Sequence, residues 1–542
     1  MKFFFFAGLL GCVALSVQAQ QTGTSALFRY DIDFVRCSNA MLTSDNAAGL
    51  YKLPTLKMSV AQLSMLKSDG GFVNYYQSDN SRSWAALTES YYRLNDRTVF
   101  YGKVEYQDFT GKNMSGSVFL DPYLYPFDIT EMTTENAGKK NSETYNLVGA
   151  VGYELSRKIV VGAKADYKSA NYAKFKDLRH TNSFLDFTLT PGIIFRPNAK
   201  IDVGLNWFYR KSVEGMLFKM YGTTDRQYTS LISFGGFYGR TELFGEDGYT
   251  DSNGNPAVNT FNGLSAQLTL RPSADWNWYN NVSYKTFDGY YGRRSTTTPV
   301  YSEHNGSTTA FETVISHPTA LHRHDLKATF ISENVANFEN IYRKENRPGN
   351  RTEIVYFGNT EALNRHIIKA NVEYIGNLFV KDYSSRWLLR AGCDFYNRQQ
   401  TATVFPYYRK QDFSSLTARL SAQRRIDSRR NVYHITFAAN YGTGWSGLSQ
   451  SNGAAIDGLY TTPSENEYEP KRSDALLQHE YEYFTAPRIG AVAGFGFTRL
   501  LSNNLKAYTN ITYSFTNALN VKYLNSTAQQ ISVAVGCAFA TN

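Results

Sequence analysis

Between Lys158 and Lys168 the chain reads KIVVGAKADYK. Ile159, Val161, Ala163, Ala165 and Tyr167 are apolar or aromatic, and Lys164, Asp166 and Lys168 fall between them. Side chains of a β-strand point to opposite faces at each step, so this period predicts a strand with one apolar and one charged face. The pattern recurs at Tyr145–Leu155, Leu185–Phe195, Ile201–Tyr209, Leu264–Leu270, Ile368–Tyr374, Trp387–Phe395, Leu416–Ala422, Tyr433–Tyr441, Leu505–Phe515 and Ile531–Phe539. The opposite faces carry Lys103, Glu105, Lys164, Asp166, Lys168, Asp186, Asp202, Arg210, Lys369, Glu373, Arg390, Asp394, Arg419, His434 and Lys506.

The connections alternate in length. Short polar ones fall at Leu94–Arg97, Ser156–Lys158, Arg196–Lys200, Arg271–Asp275, Arg424–Asn431 and Ser502–Asn504. Long ones are expected at Phe109–Ser142, Lys211–Thr260, Gly289–Val314, Asn334–Arg365 and Gly442–Phe484. Alternating ten-residue runs with short turns at one end and long loops at the other are the signature of a transmembrane barrel. A soluble β-sandwich shares the alternation but gives no reason for the asymmetry. The expected fold is therefore all-β: an antiparallel transmembrane barrel of about 14–18 strands with long external loops. Its apolar stripes face lipid. Lys103, Glu105, Lys164, Asp166, Lys168, Asp202, Arg210, Lys369, Glu373, Arg390, Asp394 and Arg419 are the candidate lumen-lining residues. Trp207 with Tyr209, Trp276 with Trp278, and Trp387 are candidates for interfacial girdles.

Residues 20–54 lack alternation yet contain Leu27, Phe28, Phe34, Met41, Leu42 and Leu50, which need a dry surface. They are expected in or under the lumen, ahead of a barrel over 55–542. Residues 1–19, with Lys2, an apolar run and Val17-Gln18-Ala19, read as a signal peptide for Sec export cut near Ala19. The destination is the outer membrane of a Gram-negative bacterium. Three cysteines remain after that cut, Cys37, Cys393 and Cys537, an odd number with no metal-site spacing. The 56 Lys and Arg against 47 Asp and Glu give a net charge of +9, spread along the chain. This excludes a nucleic-acid patch and suits contact with outer-membrane lipid and lipopolysaccharide.

Motifs for chemistry are few. GTGWSG (Gly442–Gly447) has the wrong spacing for a serine nucleophile, and neither a phosphate loop nor a zinc-protease motif occurs. His322 and His324 share a face that continues through Leu326 and Phe330 toward lipid, which fits an interface better than a metal. Asp251-x-Asn253-x-Asn255 begins like a calcium loop, but Pro256 replaces the required Gly and Asn262 the required Glu. No enzyme activity, cofactor or metal is expected. DPYLYPFDIT (Asp121–Thr130) is an aromatic, Pro-broken segment that folds into the mouth, packs within its own loop or meets a partner.

At Asn46-Ala47-Ala48-Gly49-Leu50 the chain resembles FadL-like outer-membrane transporters, with Ala47 where those carry Pro. With that turn, ESYYRLNDRTVFYGKVEY (Glu89–Tyr106), DPYLYPFDIT and LHRHDLKATF (Leu321–Phe330) resemble a Bacteroidota outer-membrane barrel family, domain of unknown function 6850. The resemblance implies fold and location and no activity. The expected role is passive transport of small solutes through a channel or gated conduit. The alternative is a non-transporting accessory or scaffold subunit that holds a surface lipoprotein or a larger transporter. A fatty-acid conduit would want an apolar lumen, which the charged faces do not supply.

Overall fold

The computed structural model describes residues 31–54, 57–221, 227–246, 248–349, 351–381, 383–445, 450–455 (backbone alone) and 470–541. The signal-peptide reading over 1–19 and the apolar Leu27 and Phe28 lie outside them. Eighteen strands form one antiparallel barrel in which each pairs with its neighbour in chain order. The first strand, Lys57–Asp69, pairs with the last, Thr527–Thr541, from Lys57 opposite Thr541 to Asp69 opposite Gln529. That seam leaves the barrel without a free edge, as a sheet in lipid requires. Arg157-Lys158, Ala199-Lys200, Ala274-Asp275 and Arg429-Arg430 are among the short turns at one end.

Two of the expected long loops are not loops. Strands Trp276–Gly292 and Val300–Pro318 are joined by residues 293–299 alone, and strands His322–Arg347 and Arg351–Lys381 meet across 348–350. The strands continue past the apolar belt as hairpins. There the outward face leaves lipid for water and the inward face packs on the lid near its base, so the apolar alternation stops although the hydrogen-bond ladder does not. The other expected loops start a few residues later than their sequence bounds, after Met114, Lys219 and Trp445.

Residues opposite one another on paired strands share a face. Val104, Leu147, Tyr167 and Phe187 form one outward row, since Val104 pairs with Leu147, Leu147 with Tyr167 and Tyr167 with Phe187. Val104 is 55% exposed, and Val203, Leu205, Leu264, Val372, Leu420 and Phe437 stand out in the same way. Trp207, Trp276 and Trp278 are exposed on this surface too. The parallel inward row holds Lys103, Val148, Asp166 and Thr188.

A barrel of 16–18 strands is too wide for wall side chains to fill. Here two pieces of chain enter it: residues 31–54 at the turn end and the long loops at the other. Placing a cation on the outward face costs roughly 2–4 kcal/mol at the bilayer midplane. Val372→Arg is therefore expected to lower the amount of folded, heat-modifiable barrel. Asn371→Arg, one residue along, faces inward beside Asp394 (Asn371 Nδ2 donates to Asp394 Oδ1 at 2.7 Å) and should assemble normally. Semi-native electrophoresis of membrane fractions compares them, and equal yields would reverse the face assignment.

Candidate functional site

The inner stopper at the turn end is built from three capped turns. Asp31 caps helix Ile32–Cys37, accepting from the backbone N–H groups of Asp33 (2.9 Å) and Phe34 (3.2 Å). Asn39 caps helix Ala40–Thr43, and Asn46 caps the 3₁₀ turn Ala47–Lys52. Asx side chains are the usual N-caps because their oxygen takes up an orphan N–H. The turns bury Val35, Met41, Leu42, Ala47, Ala48 and Leu50 against wall residues Tyr91, Val99, Val160, Ile194 and Tyr279. Asn46 Nδ2 also donates to Gln267 Oε1 at 3.0 Å and to the Ile193 carbonyl at 3.1 Å.

The turn reaches the wall because the wall lacks side chains there. A Cβ at Gly152 would come within 2.9 Å of the Ala47 carbonyl oxygen. One at Gly162 would strike the Ala48 backbone, one at Gly192 the Asn46 side chain and one at Gly204 Gln267. Gly152, Gly162 and Gly192 lie opposite one another on successive strands, which makes a bare floor for the turn. Around it, Arg93 Nη2 donates to the Tyr51 and Leu53 carbonyls, and Arg323 Nη1 to that of Ser38. Arg36 pairs with Glu89 at 3.2 Å.

Between the stopper and the outer lid the wall carries charges of both signs. Lys103 pairs with Glu105 at 2.6 Å, and Arg210 donates to both oxygens of Asp186. Asp394 accepts from Arg419 and Asn371; Arg390 lies 4.0 Å from Glu373. Lys164 reaches Asp45 of the stopper at 3.3 Å, and Asp202 accepts from Arg271 and Tyr51 with Lys52 at 3.3 Å. Lys168 lies over the Phe184 ring. Asp166 stands between Val148 and Thr188, and Lys369 lies opposite Tyr396, which stacks on Phe484 of the interior helix Asp474–Thr485. A cavity of about 230 Å³ lies between the stopper and the wall, with Asp33, Arg323, Asp325, Glu373, Arg390 and His434 around it.

The lid is a second core set in the barrel mouth. Short strands Asp128–Glu131, Thr229–Ser233, Tyr238–Leu243 and Lys471–Arg472 form a four-stranded sheet of their own. Phe119, Tyr125, Phe127, Ile129, Ile232, Phe234 and Tyr249 pack on wall residues Phe218, Tyr291, Tyr301 and Ala402. The segment Asp121–Thr130 thus folds into the mouth. Leu120 N–H donates to Glu214 at 2.9 Å, and Tyr123 OH to Glu480 of the interior helix at 3.0 Å. Leu476 and Leu477 pack that helix on Tyr75, Leu231 and Phe237. In the Asp251–Asn255 segment, Asp251 Oδ1 accepts from Asn253 N–H and Nδ2, and Asn255 Nδ2 donates to the Gly248 carbonyl, so the turn closes on itself.

His322 and His324 lie at the outer surface with ring centres 6.2 Å apart, His324 bonded to the Tyr374 hydroxyl and His322 against Phe379. Among the described residues no three His, Cys, Asp or Glu side chains converge. Cys37, Cys393 and Cys537 are free thiols. Sequence reasoning missed the glycine floor, although Gly152, Gly162, Gly192 and Gly204 all fall on the charged parity of their strands. It also missed Arg365, Arg398 and Glu480, which carry no motif and meet only in the folded lid.

Asp128 links the lid to its surroundings. Its carboxyl accepts from Tyr75 OH at 2.8 Å and Ser117 OH at 2.5 Å, with the Lys140 ammonium nearby. Full burial outweighs these and pushes its pKa up to about 7. The folded lid then holds this proton more tightly than an open one. The stabilisation is complete below the ordinary carboxylate range and is lost as pH rises through about 7. Between those limits lid opening is expected to grow by up to about tenfold per pH unit. Limited proteolysis of the loops from pH 5 to 8 reads this, and Asp128→Asn should lower the slope of the profile.

Fold and interior together define the class: a closed transmembrane β-barrel whose lumen is stoppered at one end and lidded at the other. The model of a family of unknown function, DUF6850, matches residues 47–539, and the chain belongs to that family. No curated protein matches the chain. Among solved structures it is similar to the outer membrane transporter YddB from Escherichia coli, at 8% identity over 89% of this chain and 80% of that one, with a TM-score of 0.40. It is similar to BauA, the ferric preacinetobactin receptor from Acinetobacter baumannii, at 10% identity over 88% and 80%, TM-score 0.35. A mutant of the ferric enterobactin receptor PfeA from Pseudomonas aeruginosa gives 8% over 90% and 81%, TM-score 0.39. These likenesses are distant, and the fold assignment rests on the closed ladder itself.

Proposed function

We propose that this protein is a gated conduit of the Gram-negative outer membrane that passes small polar solutes without an energy source of its own. In this reading residues 1–19 direct export and are cut near Ala19, and the outward belt contacts outer-membrane lipid and lipopolysaccharide. One observation carries it. A wall of mixed charge, including Lys103, Glu105, Lys168, Lys369, Asp394 and Arg419, stands between two separately built closures. A lumen meant only to be filled has no need of charges kept apart from both fillings. The stopper is held by two small apolar clusters together with polar contacts through Asn46, Arg36 and Asp45, against the larger aromatic core of the lid. It is thus the closure more easily displaced.

The second reading is an accessory or scaffold subunit with a protein or lipoprotein partner. The lid's dry aromatic core favours it, because such a core is costly to open. With closures at both ends, removing one leaves the other. The decisive comparison is conductance in planar bilayers for four proteins: intact, lacking 31–54, with residues 116–134, 227–254 and 446–486 each replaced by a short glycine turn, and with both changes. The conduit reading expects steady current only from the doubly changed barrel, or from it far above the others. A doubly changed barrel that is heat-modifiable yet silent would establish that the charged wall is structural filling, and the accessory role would stand.

A further inference from the structure

Within the lid a cavity of about 50 Å³ lies between the Pro122–Asp128 segment, the Gly235-Gly236 turn and wall strands that carry Arg365 and Arg398. Both guanidinium groups are buried. Arg398 is compensated: Nη1 and Nη2 donate to the Glu480 carboxylate at 3.1 and 2.5 Å, and the group lies over the Phe413 ring. Arg365 is not. Its nearest carboxylate, Glu333, is 3.7 Å away without a hydrogen bond, and its contact with the Tyr125 carbonyl is stretched to 3.5 Å. The Nε–H groups of both arginines lack a hydrogen-bond partner among the described residues.

The charges do not balance. Glu480 offsets Arg398, and Glu333 offsets Arg365 only in part. Asp128, the other acid on the cavity, is about half protonated at neutral pH, since its pKa is pushed up to about 7. A buried cation whose partner is distant is unfavourable, and an anion accepting from its N–H edges offsets most of that penalty. Gly235 and Gly236, at φ of +124° and +60°, let the turn come down onto Gln400, Gln411 and Leu363, which narrows the space.

We infer that this cavity binds one small monoanion, a halide or a carboxylate group, through Arg365 with Arg398. Size and charge set the class. A water-sized probe takes up about 10–15 Å³, so the cavity admits on the order of four non-hydrogen atoms. With Glu333 offsetting Arg365 in part and Asp128 about half ionised, the excess is less than one positive charge, which suits a monoanion over a dianion such as sulfate. The bound anion ties the Pro122–Asp128 segment and the Gly235-Gly236 turn to the wall, and so holds the lid shut. The site does not require that the barrel conduct. Its occupant is either a free ion or the carboxylate of a solute.

The test uses the full chain in detergent, in sodium isethionate (a sulfonate, outside the proposed class) replaced stepwise by sodium bromide or sodium acetate at constant ionic strength. A ligand that binds only the folded form raises the unfolding midpoint along a saturating curve. Saturation by bromide alone assigns the free ion; saturation by acetate at lower concentration assigns the carboxylate. Crystals grown in bromide should show one anomalous peak between Arg365 and Arg398. Arg365→Gln should weaken the apparent affinity at least tenfold. Where that variant does not fold, Arg365→Lys, which keeps the charge and loses the fork, should weaken it several-fold. Arg347→Gln, at the tip of an outer hairpin, should change nothing. A midpoint that does not saturate with either salt would mean water alone fills the cavity, and unchanged affinity in the folded Arg365 variants would place the anion elsewhere; each overturns the inference.

Discussion

A backbone N–H or C=O left unpaired in hydrocarbon costs several kcal/mol, and the rest of this molecule follows from avoiding that cost. The ladder must close, so Lys57–Asp69 and Thr527–Thr541, the two ends of the barrel, become neighbours along thirteen paired positions. Closing at eighteen strands sets a width. Width creates an interior larger than wall side chains can occupy. The filling is then a second structural problem, solved with chain segments.

The two solutions differ in kind. At the turn end the Asn46 turn lies on a floor of glycines, and two small apolar clusters with polar contacts at Asn46, Asp45 and Arg36 hold the segment. At the loop end the filling has a hydrophobic core of its own, with Phe127 between Tyr249 and Tyr291 at ring distances of 5.6 and 5.1 Å. Its ion pair Arg398 with Glu480 is buried beside the Phe413 and Phe484 rings and locks the helix to the wall, while the buried Arg409 reaches out to the exposed Asp474. Between these regions the wall charges pair mostly with each other, as Arg210 does with Asp186.

Much of the fold was legible because the strand period is short and local. Val203 outward and Asp202 inward follow from parity alone, and the closing strand Ile531–Phe539 was visible as the last stripe. The hairpin Asn334–Arg365 has the sequence of a loop because periodicity reports which solvent a face meets, not whether the ladder continues. The stopper was half legible: its apolar residues and Asx caps show, while its floor of glycines lies 100 or more positions away. The lid was least legible. Arg365 and Glu480 acquire meaning from sequence-distant neighbours, and no spacing rule anticipates a contact such as that of Tyr123 with Glu480.

The stopper's route has a mechanical consequence. It runs directly into the first strand, beside the seam, yet its Asn46 turn rests on Gly192 and Gly204, five and six strands further round the wall. It also takes hold of a third arc, where Arg323 bonds to the Ser38 carbonyl and Tyr383 accepts from Asp31 N–H. A hoop of hydrogen-bonded strands is stiff along its ladder and soft to flattening. Three anchors joined by one short chain act as spokes, resisting ovalisation in every direction at the turn end. Withdrawing the segment would therefore remove an obstruction and also release the cross-section itself to change shape.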